Sequence, residues 1–160
     1  MLKTVKRKSF RGGSASFAIV ASEYNARYVD AMLAAARAEL KKAGARNVQV
    51  IRVPGAYEIP VVAARLARSA SVHESLSAIV CLGVILRGET SHAAHIGEAV
   101  SQALMQIQVR YEVPVIHEVL LLETEEQARV RCLGGKHNRG AEAAQTALAM
   151  AQVMQRLPAS

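Results

Sequence analysis

Nine residues, RGETSHAAH at 87–95, bring together an arginine, an acid, two hydroxyls and two histidines. His92 and His95 are three apart, so on a helix they share a face. That spacing invites a metal. Zinc needs three or four ligands, and the nearest further candidates, Glu98, His117 and His137, have no spacing that ties them to the pair. No metal is therefore expected. An anion fits the same stretch better. Gly88, Glu89, Thr90 and Ser91 stand between an apolar run and a helical pattern, where free backbone N–H groups and the helix dipole favour a phosphate. Thr90 and Ser91 can either cap the helix or bond phosphate oxygens. His92, in the first turn, is placed to exchange protons near neutral pH.

A second polar cluster is VPGAYEIP at 53–60. Its glycine lets backbone approach a ligand, and Glu58 opens a helix, where a carboxylate also suits the dipole. LGGKHNRG at 133–140 looks like a phosphate loop but lacks the GxxxxGK[ST] spacing, and no strand precedes it. It reads as the end of one helix and the start of another. No nucleophile elbow or Cys–His pattern occurs.

These residues need a frame. The chain has 160 residues, 51% of them apolar, enough for one domain with a real core. Apolar runs at 16–22, 48–53, 76–86 and 113–122 have strand length. Helical periodicity joins them: Val29, Met32, Leu33, Ala36 and Leu40 up to Gly44; residues 58–70; residues 92–111; a short helix at 124–132; and a last helix at 141–156. The alternation predicts an α/β fold, a three-layer flavodoxin-like sandwich. Its four-stranded, mainly parallel sheet should carry helices on both faces. Ligands in such sheets gather at the carboxyl ends of strands. That rule selects Ser22–Asn25, Pro54–Glu58, Gly83–His92 and His117–Glu118.

Residues 1–14 read as a basic arm, with Lys3, Lys6, Arg7, Lys8 and Arg11, and residues 15–158 as the single domain. The formal charge of +7 admits acidic partners. Few aromatic residues are available to stack on bases, so nucleic acid is not expected. No apolar stretch reaches about 18 residues, so no membrane span is expected. The two cysteines, Cys81 and Cys132, form no CxxC, which fits a reduced, cytoplasmic setting.

The ordered motifs YN (24–25), VPGAYEIP (53–60), LGVILRGETSH (82–92), PVIHEVL (114–120), EEQARVR (125–131) and NRGAEAA (138–144) carry a resemblance. Over residues 16–157 the chain resembles the 6,7-dimethyl-8-ribityllumazine synthases of riboflavin biosynthesis. The resemblance implies a transferase without metal or organic cofactor. It would condense 5-amino-6-(D-ribitylamino)uracil with 3,4-dihydroxy-2-butanone 4-phosphate, releasing phosphate and water. It implies that Tyr24 stacks on the pyrimidine, and that Ala56, Tyr57 and Glu58 hold the ribityl chain. Val84, Ile85 and Leu86 would offer backbone groups to the pyrimidine. Glu89, Thr90 and Arg131 would bind the phosphate, and His92 would transfer protons. Arg139 stands where a lysine is usual.

The resemblance further implies a homo-oligomer built on pentamers, with sites between neighbouring subunits. The short Arg131–Arg139 connection is like that of members that form sixty-subunit shells, and riboflavin synthase is an implied partner. Some positions depart from the family pattern. Ala93 and Ala94 replace an aromatic and an acid after the histidine. His117 replaces a phenylalanine beside the substrate ring, and Glu118 a glycine. Glu23 stands where arginine is common. Two alternatives follow: a non-catalytic flavin-binding or cage-forming paralogue, and an archaeal-type riboflavin synthase of the same fold. The second has no phosphorylated substrate to match Thr90 and Arg131.

Overall fold

The computed structural model describes residues 14–73 and 76–158. The basic residues at 3–11 lie outside them. Four strands, β1 (Ser16–Ser22), β2 (Asn47–Val53), β3 (Ala78–Leu86) and β4 (Val115–Leu122), form one sheet in the order β2-β1-β3-β4. Every neighbouring pair is parallel. The helices are α1 (Ala26–Lys42), α2 (Ile59–His73), α3 (His92–Tyr111), α4 (Glu125–Ala128) and α5 (Arg139–Arg156).

The layers follow from side-chain alternation along the strands. Phe17, Ile19 and Ala21 of β1 pack with Val29, Met32 and Leu40 of α1 and with Ala144 and Leu148 of α5. Ala18 and Val20 face the other way, towards Ile59 and Ala63 of α2 and Val100 and Leu104 of α3. Both faces of the sheet are thus covered, and the apolar strands read almost continuously, as buried parallel strands do. Cys81 and Cys132 are free and buried. Burial pushes the Cys81 thiol up to about 12.

Several boundaries differ from the sequence reading. β4 begins at Val115 rather than 113, because Pro114 has no N–H for a ladder; its carbonyl instead accepts from Ile79 N at 2.8 Å. The short helix expected at 124–132 is one α-helical stretch, α4, followed by a π-helical turn, Arg129–Leu133. α5 starts two residues earlier than expected. Asn138 caps it, with Oδ1 accepting from Gly140 N at 2.9 Å and Ala141 N at 3.4 Å. The Asn138 amide also donates to the Cys132 carbonyl at 2.5 Å, which fastens the π turn to the start of α5.

Candidate functional site

The carboxyl ends of β1, β2 and β3 gather the first group of polar residues. β3 runs on to Leu86, but its pairing with β1 stops at Leu82, opposite Ala21. Among the described residues no strand pairs with the β1-facing side of this overhang. Asn25 Nδ2 fills part of the gap, donating to the Val84 carbonyl at 2.7 Å. Asn25 takes a left-handed conformation, φ 57°, which asparagine tolerates better than most residues. Its role was not read from the sequence beyond the YN motif. The available signal was an αL-tolerant residue between a strand end and a helix.

The first loop is tied to the second. Tyr24 N donates to the Pro54 carbonyl at 3.0 Å, and Glu23 N to the Val53 carbonyl at 2.8 Å. Ala56–Glu58 form a 3-10 turn ahead of α2. Gly55 is extended, a conformation open to any residue, so space is what it supplies. A methyl group on it would meet Glu58 Oε2 and Tyr24 Cδ2, each at 2.9 Å. The expectation that this glycine admits a ligand is therefore refined: it lets Tyr24 and Glu58 fold over the backbone side by side. Tyr24 and Tyr57 are 71% and 64% exposed, so both residues are accessible to a ligand or a second chain.

The β3–α3 connection carries Glu89, Thr90 and His92, all exposed. α3 starts at His92, as its periodicity predicts. Ser91 makes no side-chain cap, and Thr90 Oγ1 accepts from His92 N only at 3.4 Å. The hydroxyls thus leave the helix start largely uncapped, so its N–H groups can serve an anion. Ala93 is buried and Ala94 half-buried. His95 is exposed one turn on. Among the described residues no group of three or more His, Cys, Asp or Glu side chains could hold a metal.

A second group lies along β4 and the segment after it. His117 and Arg139 line an open cavity of about 480 Å³ with Gln108, Glu112, Glu118 and Met150; Tyr24, Glu58 and His92 do not line it. Glu118 is buried, and burial pushes its carboxyl above the ordinary value while Arg139 pulls it back. Arg139 Nε donates to Glu118 at 2.6 Å and its Nη1 to Glu142 at 2.8 Å. The glutamate at 118 and the arginine at 139, two positions where the resemblance implies other residues, are thereby one ion pair. A glutamate buried here requires a cation beside it, and the forked guanidinium reaches two carboxylates at once where an ammonium is a point charge.

Arg131 sits in the π turn and is exposed. Its only side-chain hydrogen bond among the described residues is at 3.5 Å, to the Gln127 carbonyl. His117 is held from two sides, Nδ1 by Val119 N at 3.2 Å and Nε2 by Ser101 Oγ at 2.7 Å. Desolvation holds its imidazole below the ordinary value, only partly offset by a hydrogen bond to its own backbone. No side-chain hydrogen bond or ion pair among the described residues joins His117, Arg131 or Arg139 to Tyr24, Glu58, Thr90 or His92. His117 and Arg139 thus share a cavity that Tyr24, Glu58 and His92 do not line.

A family model described as 6,7-dimethyl-8-ribityllumazine synthase matches residues 14–155. Curated proteins of that name are similar over most of both chains. The one from Stenotrophomonas maltophilia is 44% identical over 147 residues, covering 91% of this chain and 92% of its own. That from Xanthomonas oryzae pv. oryzae is 42% identical over 150 residues, 92% and 95% of the two chains. That from Xylella fastidiosa is 41% identical over 150 residues, again 92% and 95%.

Proposed function

The chain belongs to the 6,7-dimethyl-8-ribityllumazine synthase family, and we propose that it performs that family's condensation at a site completed by two copies of itself. The observation that carries this reading is the division into two groups. We assign the pyrimidine and ribityl positions and His92 to the β1–β3 end, and Arg131 to a second group with His117 and Arg139, which line a cavity that Tyr24, Glu58 and His92 do not. A head-to-tail ring brings the second group of one copy onto the first group of the next.

In this reading the pyrimidine lies on Tyr24 and meets the backbone of Val84, Ile85 and Leu86. Its ribityl hydroxyls reach the Ala56–Glu58 turn, where the Glu58 carboxylate accepts from them. The phosphate of the four-carbon substrate rests on the uncapped start of α3, beside Thr90, and on Arg131 of the neighbouring copy. Glu89 flanks this cradle. The pyrimidine's amine attacks the ketone to give an imine and one water, phosphate leaves, and the ring closes with loss of a second water. Holding two substrates together is the largest contribution, since effective molarities reach about 10⁵ M or more. His92 moves the protons, worth about 10²–10⁴-fold. Two fixed positive fields, a guanidinium and a helix start, suit a departing phosphate.

The assembly is a pentamer or a multiple of it, extending to a sixty-subunit shell, and it works in the cytoplasm, passing product to riboflavin synthase. No described helix is long and apolar enough to cross a membrane. Mixing the protein with both substrates tests the reading. Formation of the fluorescent lumazine, with one phosphate released per turn, is the expected result. Binding of both ligands without product would instead favour the non-catalytic paralogue, with Ala93 and Ala94 as the lesion. Light scattering should give a mass five times the 17.2 kDa chain, or a multiple of that.

A further inference from the structure

Among the described residues β4 is an edge strand of the sheet, and the His117 ring takes up the Val119 N–H of that strand. Three hydrogen bonds fix the chemical state of its ring. Val119 N–H donates to Nδ1 at 3.2 Å, and a ring nitrogen that accepts carries no proton. The hydrogen of a neutral imidazole must then be on Nε2. Ser101 Oγ lies 2.7 Å from Nε2 and spends its own proton on the Gly97 carbonyl, also at 2.7 Å. The hydroxyl can therefore only accept from Nε2–H. The chain runs in one direction, from Val119 N–H to the ring and from the ring through Ser101 to Gly97. A proton added at Nδ1 would point at the Val119 N–H.

We propose that Ser101 is a positioning residue that locks His117 as a neutral ring with both nitrogens occupied, so that it offers the pyrimidine a flat aromatic face and no hydrogen bond. This rests on the reading of His117 as the residue beside the substrate ring. It chooses between the two uses open to a histidine there, stacking or hydrogen bonding. It also explains how a polar ring serves at a position otherwise held by phenylalanine: its polar atoms are consumed inside the fold. Ser101 lies on α3, sixteen residues before His117, and its hydroxyl bonds back four residues to Gly97, a habit of helical serines.

A double-mutant cycle on the assembled enzyme tests this. Ser101→Ala should raise KM for the pyrimidine roughly three- to tenfold, the loss of a fixed aromatic contact, with kcat changed less than about twofold. Ser101→Thr keeps the hydroxyl and should restore most of the affinity. In a His117→Phe background Ser101→Ala should add no further change, because no ring nitrogen remains to hold. An equal KM cost in both backgrounds would overturn the role of Ser101 while leaving His117 at the ring. An unchanged KM in His117→Ala would overturn both readings.

Discussion

Gly140→Ala should lower the thermal midpoint by about 10 °C or more, although the change places the better helix former in a helix. Propensity alone would favour alanine there by about 1 kcal/mol. Packing decides otherwise. A Cβ on Gly140 would lie within the contact shell of the Met32 carbonyl oxygen, 2.5 Å from the carbonyl carbon and 2.6 Å from the Cα. These are backbone atoms of α1, so no rotamer change relieves the clash; the whole helix must retreat. Met32, Val29 and Ala36 on α1 are fully buried, and so is Ala144 on α5. Retreat would therefore open the layer that covers one face of the sheet. Overpacking costs about 1–3 kcal/mol where side chains can adjust, and more where backbone must. At about 2–4 °C per kcal/mol for a chain of this size, the stated fall corresponds to about 2.5–5 kcal/mol. Calorimetry on the variant checks it, and a midpoint within 2 °C of the natural protein, or above it, would mean α1 and α5 do not approach as described.

The second large effect separates binding from proton transfer. Three arginines are close in sequence, and two are engaged. Arg129 is paired with Glu126 at 2.7 Å, and Arg139 with Glu118 and Glu142 at 2.6 and 2.8 Å. Among the described residues Arg131 has only the 3.5 Å hydrogen bond to a carbonyl. Its guanidinium is thus the one of the three best able to turn to a phosphate. Hydrogen bonds to charged groups are worth about 1.5–3 kcal/mol, so Arg131→Ala should weaken butanone phosphate binding by about 10- to 150-fold. His92→Ala should leave that affinity within a few fold and lower kcat by about 10²–10⁴-fold. Isothermal titration and steady-state kinetics on both variants make the comparison. Equal affinities for the phosphorylated substrate would show that the roles are wrongly divided.

Much of this frame was legible because periodic burial leaves a strong trace. β1 at 16–22 and α3 at 92–111 have the bounds their patterns predict. The sheet proved parallel at every pair, and the carboxyl-end rule found the loops that hold Tyr24, Glu58 and His92. What was not legible depends on contacts made by the fold. Ser101 meets His117 only once α3 packs on β4. The arginine at 139 finds the glutamate at 118 across 21 positions. The π turn was read as plain helix because Asn138, beyond its end, secures it through the Cys132 carbonyl. Gly55 looked like room for a ligand, and the space proved to be for neighbouring side chains. A site shared between subunits has no trace in local pattern, since only the resemblance implies it.

The central claim is that one catalytic site takes residues from two chains. Co-expressing the His92→Ala chain with the Arg131→Ala chain tests it most directly. Each variant alone should be nearly silent at low substrate concentration. In randomly mixed head-to-tail rings, about a quarter of the sites would join an intact His92 half to an intact Arg131 half. Mixed assemblies should therefore recover about a quarter of the natural kcat/KM. Mixed assemblies no more active than the sum of the two separate variants would contradict the claim.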